Sequence, residues 1–221
     1  VMPWLSPGHF GAMNNFGAAR ARGELLLFLH HDLEVISPDW LERLLEHALR
    51  PEVGAVGAKL YYPDNTLQHA GIIVGINGVA GYGHKSFRRD ALGYGDRLTL
   101  VQNLSAVTAA CMMVRKDVFT EAGGFDEGYA QPLNEVDFCL KLRTSGYLIV
   151  WTPYAELYHH ESDAGDAEDT PEKQQRFQRD VVRWQQTWKQ ILEQGDPYYS
   201  PHLTLDKEDF SLKYHPIGTK E

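Results

Sequence analysis

The chain has 221 residues, 43% of them hydrophobic and 23% charged, which suits one large or two small globular domains and excludes a disordered or fibrous protein. Its formal net charge of −9 argues against a nucleic-acid backbone as partner. No apolar run approaches the roughly 20 residues that a membrane span needs. Cys111 and Cys139 each sit in an apolar run, as expected of buried free thiols in a reducing compartment.

The chain opens at Val1 without an initiator Met and reads as a domain cut from a longer protein. Asn14–Gly23 predicts a short helix closed by Gly23. Leu25–Leu29 is continuously apolar, the pattern of a strand covered on both faces, as in a parallel sheet. Ligands in such sheets bind at the carboxyl ends of the strands. His30, His31, Asp32 and Glu34 follow at that end, and the pattern alone leaves open whether they are chemical groups or turn residues.

Ser37-Pro38 reads as an N-cap and first helical residue, with Leu41, Leu44, Leu45 and Ala48 as the apolar stripe. Strands are expected at Val53–Tyr62 and His69–Val74. Residues 75–98 are glycine-rich and read as a mobile loop. It carries Lys85, Arg88 and Arg89, either as solvated charges or as a flap over phosphates. Leu104–Val114 reads as a buried strand and Lys116–Ala122 as a short helix. Asn134 to Arg143 reads as a helix with Asn134 as N-cap and Asp137 in a capping-box position beside Lys141. That gives Asp137 a structural task and leaves Glu135 as the better general base, with Asp137 the runner-up.

Strands at Tyr147–Trp151 and Glu156–Tyr158 lead to His159-His160-Glu161. Asp32 with one of these histidines would suit Mn²⁺ or Mg²⁺, with substrate phosphates completing the shell. Asp163–Asp169 is an acidic linker. Thr170-Pro171 then opens a long amphipathic helix whose stripe is Phe177, Val181, Trp184, Trp188 and Ile191. The two Trp suit core packing better than a sugar platform. A polar tail runs from Tyr198 to Glu221.

Three stretches in this order resemble glycosyltransferase family 2, the inverting GT-A enzymes. They are Asn15 to Asp32, Gly123-Gly124-Phe125-Asp126-Glu127 with Asn134 to Tyr147, and Trp151 to Ser162. The resemblance is closest to bacterial surface-polysaccharide and O-antigen members. It implies an α/β fold of the GT-A, Rossmann-like kind: a mixed, mainly parallel sheet flanked by helices. The family's opening strands are missing, and a C-terminal amphipathic helix is added. The expected division is a partial GT-A domain over 1–165 and a helix with an extended tail over 166–221, packing on the domain or on a partner.

The implied reaction is transfer from a nucleotide-diphospho-sugar to a hydroxyl of a glycan or lipid-linked acceptor, with inversion and a divalent cation, Mn or Mg. Asp32 would stand for the DxD aspartate, His159 or His160 for the late metal-binding His, and Glu135 for the base. Asn15, Arg20, His30, His31, Lys85 and Arg88 would contact the donor. The implied location is the cytoplasm, at the inner face of the membrane through the parent protein, and the incomplete sheet edge is a site for self-association.

The chain departs from the family where His30 and His31 replace carboxylate or amide residues, and where Asp163-Ala164-Gly165-Asp166 replaces a basic residue. Both departures predict weaker metal and diphosphate binding and a fragment of reduced activity. His30-His31 and the missing nucleotide-binding half favour a second reading, a non-catalytic binding or scaffolding module. A metal-dependent hydrolase using Asp32, His159 and Glu135 ranks third, since no nucleophile is supplied.

Overall fold

The computed structural model describes residues 3–4, 9–160 and 170–213. The acidic linker Asp163–Asp169 and the end of the tail lie outside the described residues. Helix α1 spans Phe10–Arg20, starting earlier than Asn14. Strands β1 (Leu25–Leu29) and β2 (Leu33–Val35) follow, then helix α2 (Trp40–Ala48), strand β3 (Val53–Tyr61) and strand β4 (Leu67–His69). Next come β5 (Ile72–Val74), β6 (Ala80–Tyr82), β7 (Gln102–Leu104) and β8 (Cys111–Arg115). Helices α3 (Lys116–Glu121) and α4 (Leu133–Thr144), strand β9 (Leu148–His159), and helices α5 (Pro171–Thr187) and α6 (Lys189–Gln194) complete the order.

The main sheet runs β1-β8-β3-β9-β2, with β4 paired to β3 and β7 to β9. It is mixed, as expected, but its parallel share is confined to β3–β9; the other pairs are antiparallel. The apolar run of β1 reports covered faces, not strand direction. Leu26 and Phe28 join the core under α1, α3, α4 and α5, while Leu25 and Leu27 pack on the α2 side. Alternate residues of β8 divide the same way, Met112 and Val114 to one core and Cys111 and Met113 to the other. Both cysteines are buried and free.

Several expected elements break where a local contact overrides the pattern. The predicted strand at His69–Val74 splits because Gly71 takes φ +97, and a Cβ there would meet Leu104 Cδ1 at 2.0 Å. Leu104–Val114 is two strands, since 105–110 leaves the sheet as a connecting segment. Tyr147–Trp151 and Glu156–Tyr158 merge into β9, with Pro153 absorbed where the β3 register shifts between Gly57 and Lys59. Ser37 does not cap α2. Its hydroxyl accepts from Glu156 N at 3.2 Å, and Asp39 is the N-cap.

Residues 75–98 are not a loose loop. They hold β6 and two 3₁₀ turns, and backbone bonds join them to the tail: Asn77 N to Leu205 O at 2.9 Å and His84 N to Glu208 O at 2.7 Å. Thr170 caps α5 as expected, accepting from Lys173 N at 3.3 Å. The expected single helix breaks at Trp188 into α5 and α6. Its stripe packs on the main core, with Trp184 fully buried and Phe177, Val181, Trp188 and Ile191 half-buried.

Candidate active site

The carboxyl end of β1, the start of β2 and the end of β9 converge because β2 pairs with β9 so that Leu33 faces His159. This brings His30, Asp32 and His159 together, with one ligand atom from each lying within 4.8 Å of the others. His159 Nε2 is 3.3 Å from Asp32 Oδ1 and 3.2 Å from His30 Nδ1. The other ring nitrogen of His159 meets Gln68 Oε1 at 2.7 Å. That oxygen accepts, which favours a proton on Nδ1 and leaves Nε2 as the nitrogen facing Asp32 and His30.

One carboxylate oxygen and two ring nitrogens thus converge on one point. His30, whose pKa is lowered by burial and then by His159, supplies a neutral imidazole beside them. The donor set therefore fits a divalent ion.

His160 does not join this corner. Successive residues at a strand end point to opposite sides, so His160 turns outward and pairs with Glu34 at 2.8 Å on the surface. His30, expected to contact the donor, lies in the same cluster as Asp32 and His159. His31 is exposed beside it. Asn15 is a clamp: its amide donates to Phe125 O at 2.9 Å and accepts from Phe125 N at 3.0 Å. Arg20 lies over the Phe16 ring at 3.6 Å at the far end of α1. Arg88 pairs with Asp90 at 2.8 Å, Lys85 lies 5.9 Å from the Tyr82 ring centre, and Arg89 is held by Glu156 at 3.1 Å. None of these three has a described contact with the corner.

Helix α4 starts at Leu133 after Pro132, so Asn134 is inside the helix and its side chain caps nothing. Asp137 is then past the capping position. It pairs with Lys141 at 2.7 Å and accepts from Trp188 Nε1 at 3.0 Å. Burial raises its pKa against the pull of Lys141.

Glu135 has a structural role that its sequence position did not reveal. Its Oε2 accepts from Ala109 N at 2.8 Å and from Thr108 Oγ1 at 3.2 Å. Oε1 has no hydrogen-bond partner among the described residues. Burial lifts the Glu135 pKa to about 7, against those two hydrogen bonds. Segment 108–110 also reaches the metal corner, where His30 N donates to Ala110 O at 2.9 Å.

Gln68, His69 and Thr108 were missed in the sequence. They lie in or beside short strands and carry no motif, so their distant partners could not be read. A groove of about 1080 Å³ opens beside the corner between α1 and α5. Phe10, Gln131, Tyr129, Lys173 and Arg176 help to line it. The Phe10 ring centre is 5.7 Å from that of His30, and Gln131 Nε2 is 3.4 Å from His30 Nε2.

Residues 4–123 match the family described as Glycosyl transferase family 2. The O-antigen biosynthesis protein RfbC of Myxococcus xanthus is 40% identical over 97% of this chain and 16% of its own length. The uncharacterized protein y4gI of Sinorhizobium fredii is 48% identical over 93% of this chain and 23% of its own length. A Mycobacterium tuberculosis N-acetylglucosaminyl-diphospho-decaprenol L-rhamnosyltransferase is 28% identical over 57% of this chain and 43% of its own. The chain thus spans less than half the length of these relatives.

Among solved structures, GalNAc-T7 with UDP, GalNAc and Mn²⁺ superposes with a TM-score of 0.59 at 13% identity, over 83% of this chain and 35% of that one. The mannosyltransferase PcManGT of Pyrobaculum calidifontis, in complex with GDP-Man and Mn²⁺, superposes at 0.52 and 14% identity, over 84% and 45%. These likenesses bear out the expected α/β, GT-A type of fold.

Proposed function

The chain belongs to glycosyltransferase family 2, and from that premise we propose that it forms the catalytic part of an enzyme that moves a sugar from a nucleotide-diphospho-sugar to an acceptor hydroxyl with inversion. The observation that carries this reading is the His30, Asp32 and His159 cluster at the strand ends. Two imidazoles and one carboxylate favour Mn²⁺ over Mg²⁺, which holds to oxygen ligands. When bound, the ion would neutralise the charge of the departing diphosphate.

Asp32 would supply the charged ligand, and His30 and His159 ring nitrogens. Glu135 is the residue assigned as base: Oε2 stays on segment 108–109 and Oε1 has no partner among the described residues. The side chain is fully buried and lies outside the groove lining, so the acceptor must open a way to it. A pKa near 7 suits a group that must accept and then release a proton. Asp137 is the weaker candidate because Lys141 and Trp188 occupy its carboxylate. The groove between α1 and α5 receives the substrates, with Phe10 and Gln131 bordering the metal corner.

The relatives support a place in bacterial surface-polysaccharide assembly; in this reading residues 1–165 are the catalytic part, and the described residues 170–213 of the remainder pack along it. The test is a panel of nucleotide-diphospho-sugars incubated with Mn²⁺ and the chain, reading release of nucleoside diphosphate. Release with at least one donor, abolished by Asp32→Ala, is expected. A chain that binds Mn²⁺ and donor but releases nothing with any acceptor would support the scaffolding reading instead.

A further inference from the structure

We propose that the three-residue strand β4 positions both halves of the site, Gln68 by fixing the tautomer of His159 and His69 by fixing the segment that holds Glu135. Consecutive strand residues point to opposite faces, so one short strand can serve two layers. Gln68 is 2% exposed, and its Oε1 lies 2.7 Å from His159 Nδ1. An acceptor there forces the proton onto Nδ1 and leaves Nε2 facing Asp32 and His30. A partner on the far nitrogen is what orients a metal-binding imidazole and sets its basicity.

His69 is fully buried and bonded at both ring nitrogens: Nδ1 donates to Ala58 O at 3.1 Å, and Nε2 accepts from Thr108 N at 3.1 Å. Burial lowers its pKa to about 4, so it stays neutral and keeps that pairing. From Thr108 the connection continues within two residues, since Thr108 Oγ1 and Ala109 N hold Glu135, and Ala110 O holds His30 N. The strand is itself fixed, paired to β3 on one side while Leu67 N donates to Phe87 O at 2.7 Å on the other. The Gln68 half rests on the metal reading above; the His69 half rests on hydrogen bonds alone.

The experiment labels the histidine rings of the full chain with ¹⁵N and follows amide exchange, first without metal. His159 is expected to carry its proton on Nδ1 in the native chain, and to lose that preference in Gln68→Leu but not in Gln68→Glu. Gln at position 69 keeps an acceptor for Thr108 N, whereas Asn does not reach it. The Thr108 and Ala109 amides should therefore stay protected in His69→Gln and exchange at least about tenfold faster in His69→Asn.

Mn²⁺ affinity should fall about 10- to 100-fold in Gln68→Leu. An Nε2 proton on His159 in the native chain would overturn the Gln68 assignment. Equal exchange at Thr108 in the two His69 variants would overturn the other. A native chain that takes up no Mn²⁺ would defeat the metal reading, while the ring and amide measurements would still decide this one.

Discussion

At the scale of single residues, the site depends on which side of a strand or helix each side chain leaves. His159 and His160 are adjacent, yet one enters the cluster and the other pairs with Glu34 on the surface. His160→Ala should therefore leave Mn²⁺ affinity within about twofold of the native value, as expected of a rim ion pair of small energy; isothermal calorimetry measures it.

Glu135 shows what local spacing leaves out. It was selected because it lacked a capping task, but it is tied to Thr108 and Ala109. A contact across 26 residues leaves no trace in local spacing. Glu135→Gln keeps the shape and an acceptor for Ala109 N, so it should remove transfer while leaving Mn²⁺-dependent stabilisation intact. Full turnover in that variant would move the base to Asp137.

The sign of the pH effect follows from the raised pKa. The native carboxyl holds its proton to about 7, whereas the unfolded one releases it near 4.5. Between those values the native state binds more protons, so stability falls as pH rises through the window, by about 3 kcal/mol in all. The Glu135→Gln chain should lack this loss in urea titrations across that range.

At the scale of elements, α5 was the most legible feature. Its N-cap, its proline and its stripe at spacings of three and four were all visible, and the stripe packs half-buried on the core around Trp184. Trp184 is fully buried. Trp184→Ala should cost about 3–5 kcal/mol in denaturant unfolding. Trp188 adds a bond from its indole to Asp137, which joins α5 to α4 beside the site. Helix α4 was located correctly but with the wrong start, because Pro132 occupies the cap position and shifts Asn134 into the helix. The region 75–98 was misread for a related reason. Glycine content suggested looseness, whereas backbone bonds to 205–208 hold it in place.

At the scale of the molecule, the mixed sheet and its helical layers were legible because apolar runs and caps report covered faces. Strand direction was not, since an antiparallel strand between two helical layers shows the same apolar run. Strand β1 ends the sheet and pairs only with β8 among the described residues. Leu29 at its end is 47% exposed. The isolated chain should therefore associate with rising concentration in light scattering, and Leu29→Lys should reduce that association. A chain that stays monomeric at every concentration would exclude this edge as a contact.

The central claim, that His30, Asp32 and His159 form a metal corner for a diphosphate donor, is tested most directly by Mn²⁺ calorimetry on the native chain and on alanine variants at positions 30, 32, 159 and 160. Binding in the native chain, weakened by more than about tenfold by each of the first three changes and unaltered by the fourth, is the predicted result. Native-like Mn²⁺ binding in Asp32→Ala, or its loss in His160→Ala, would contradict it.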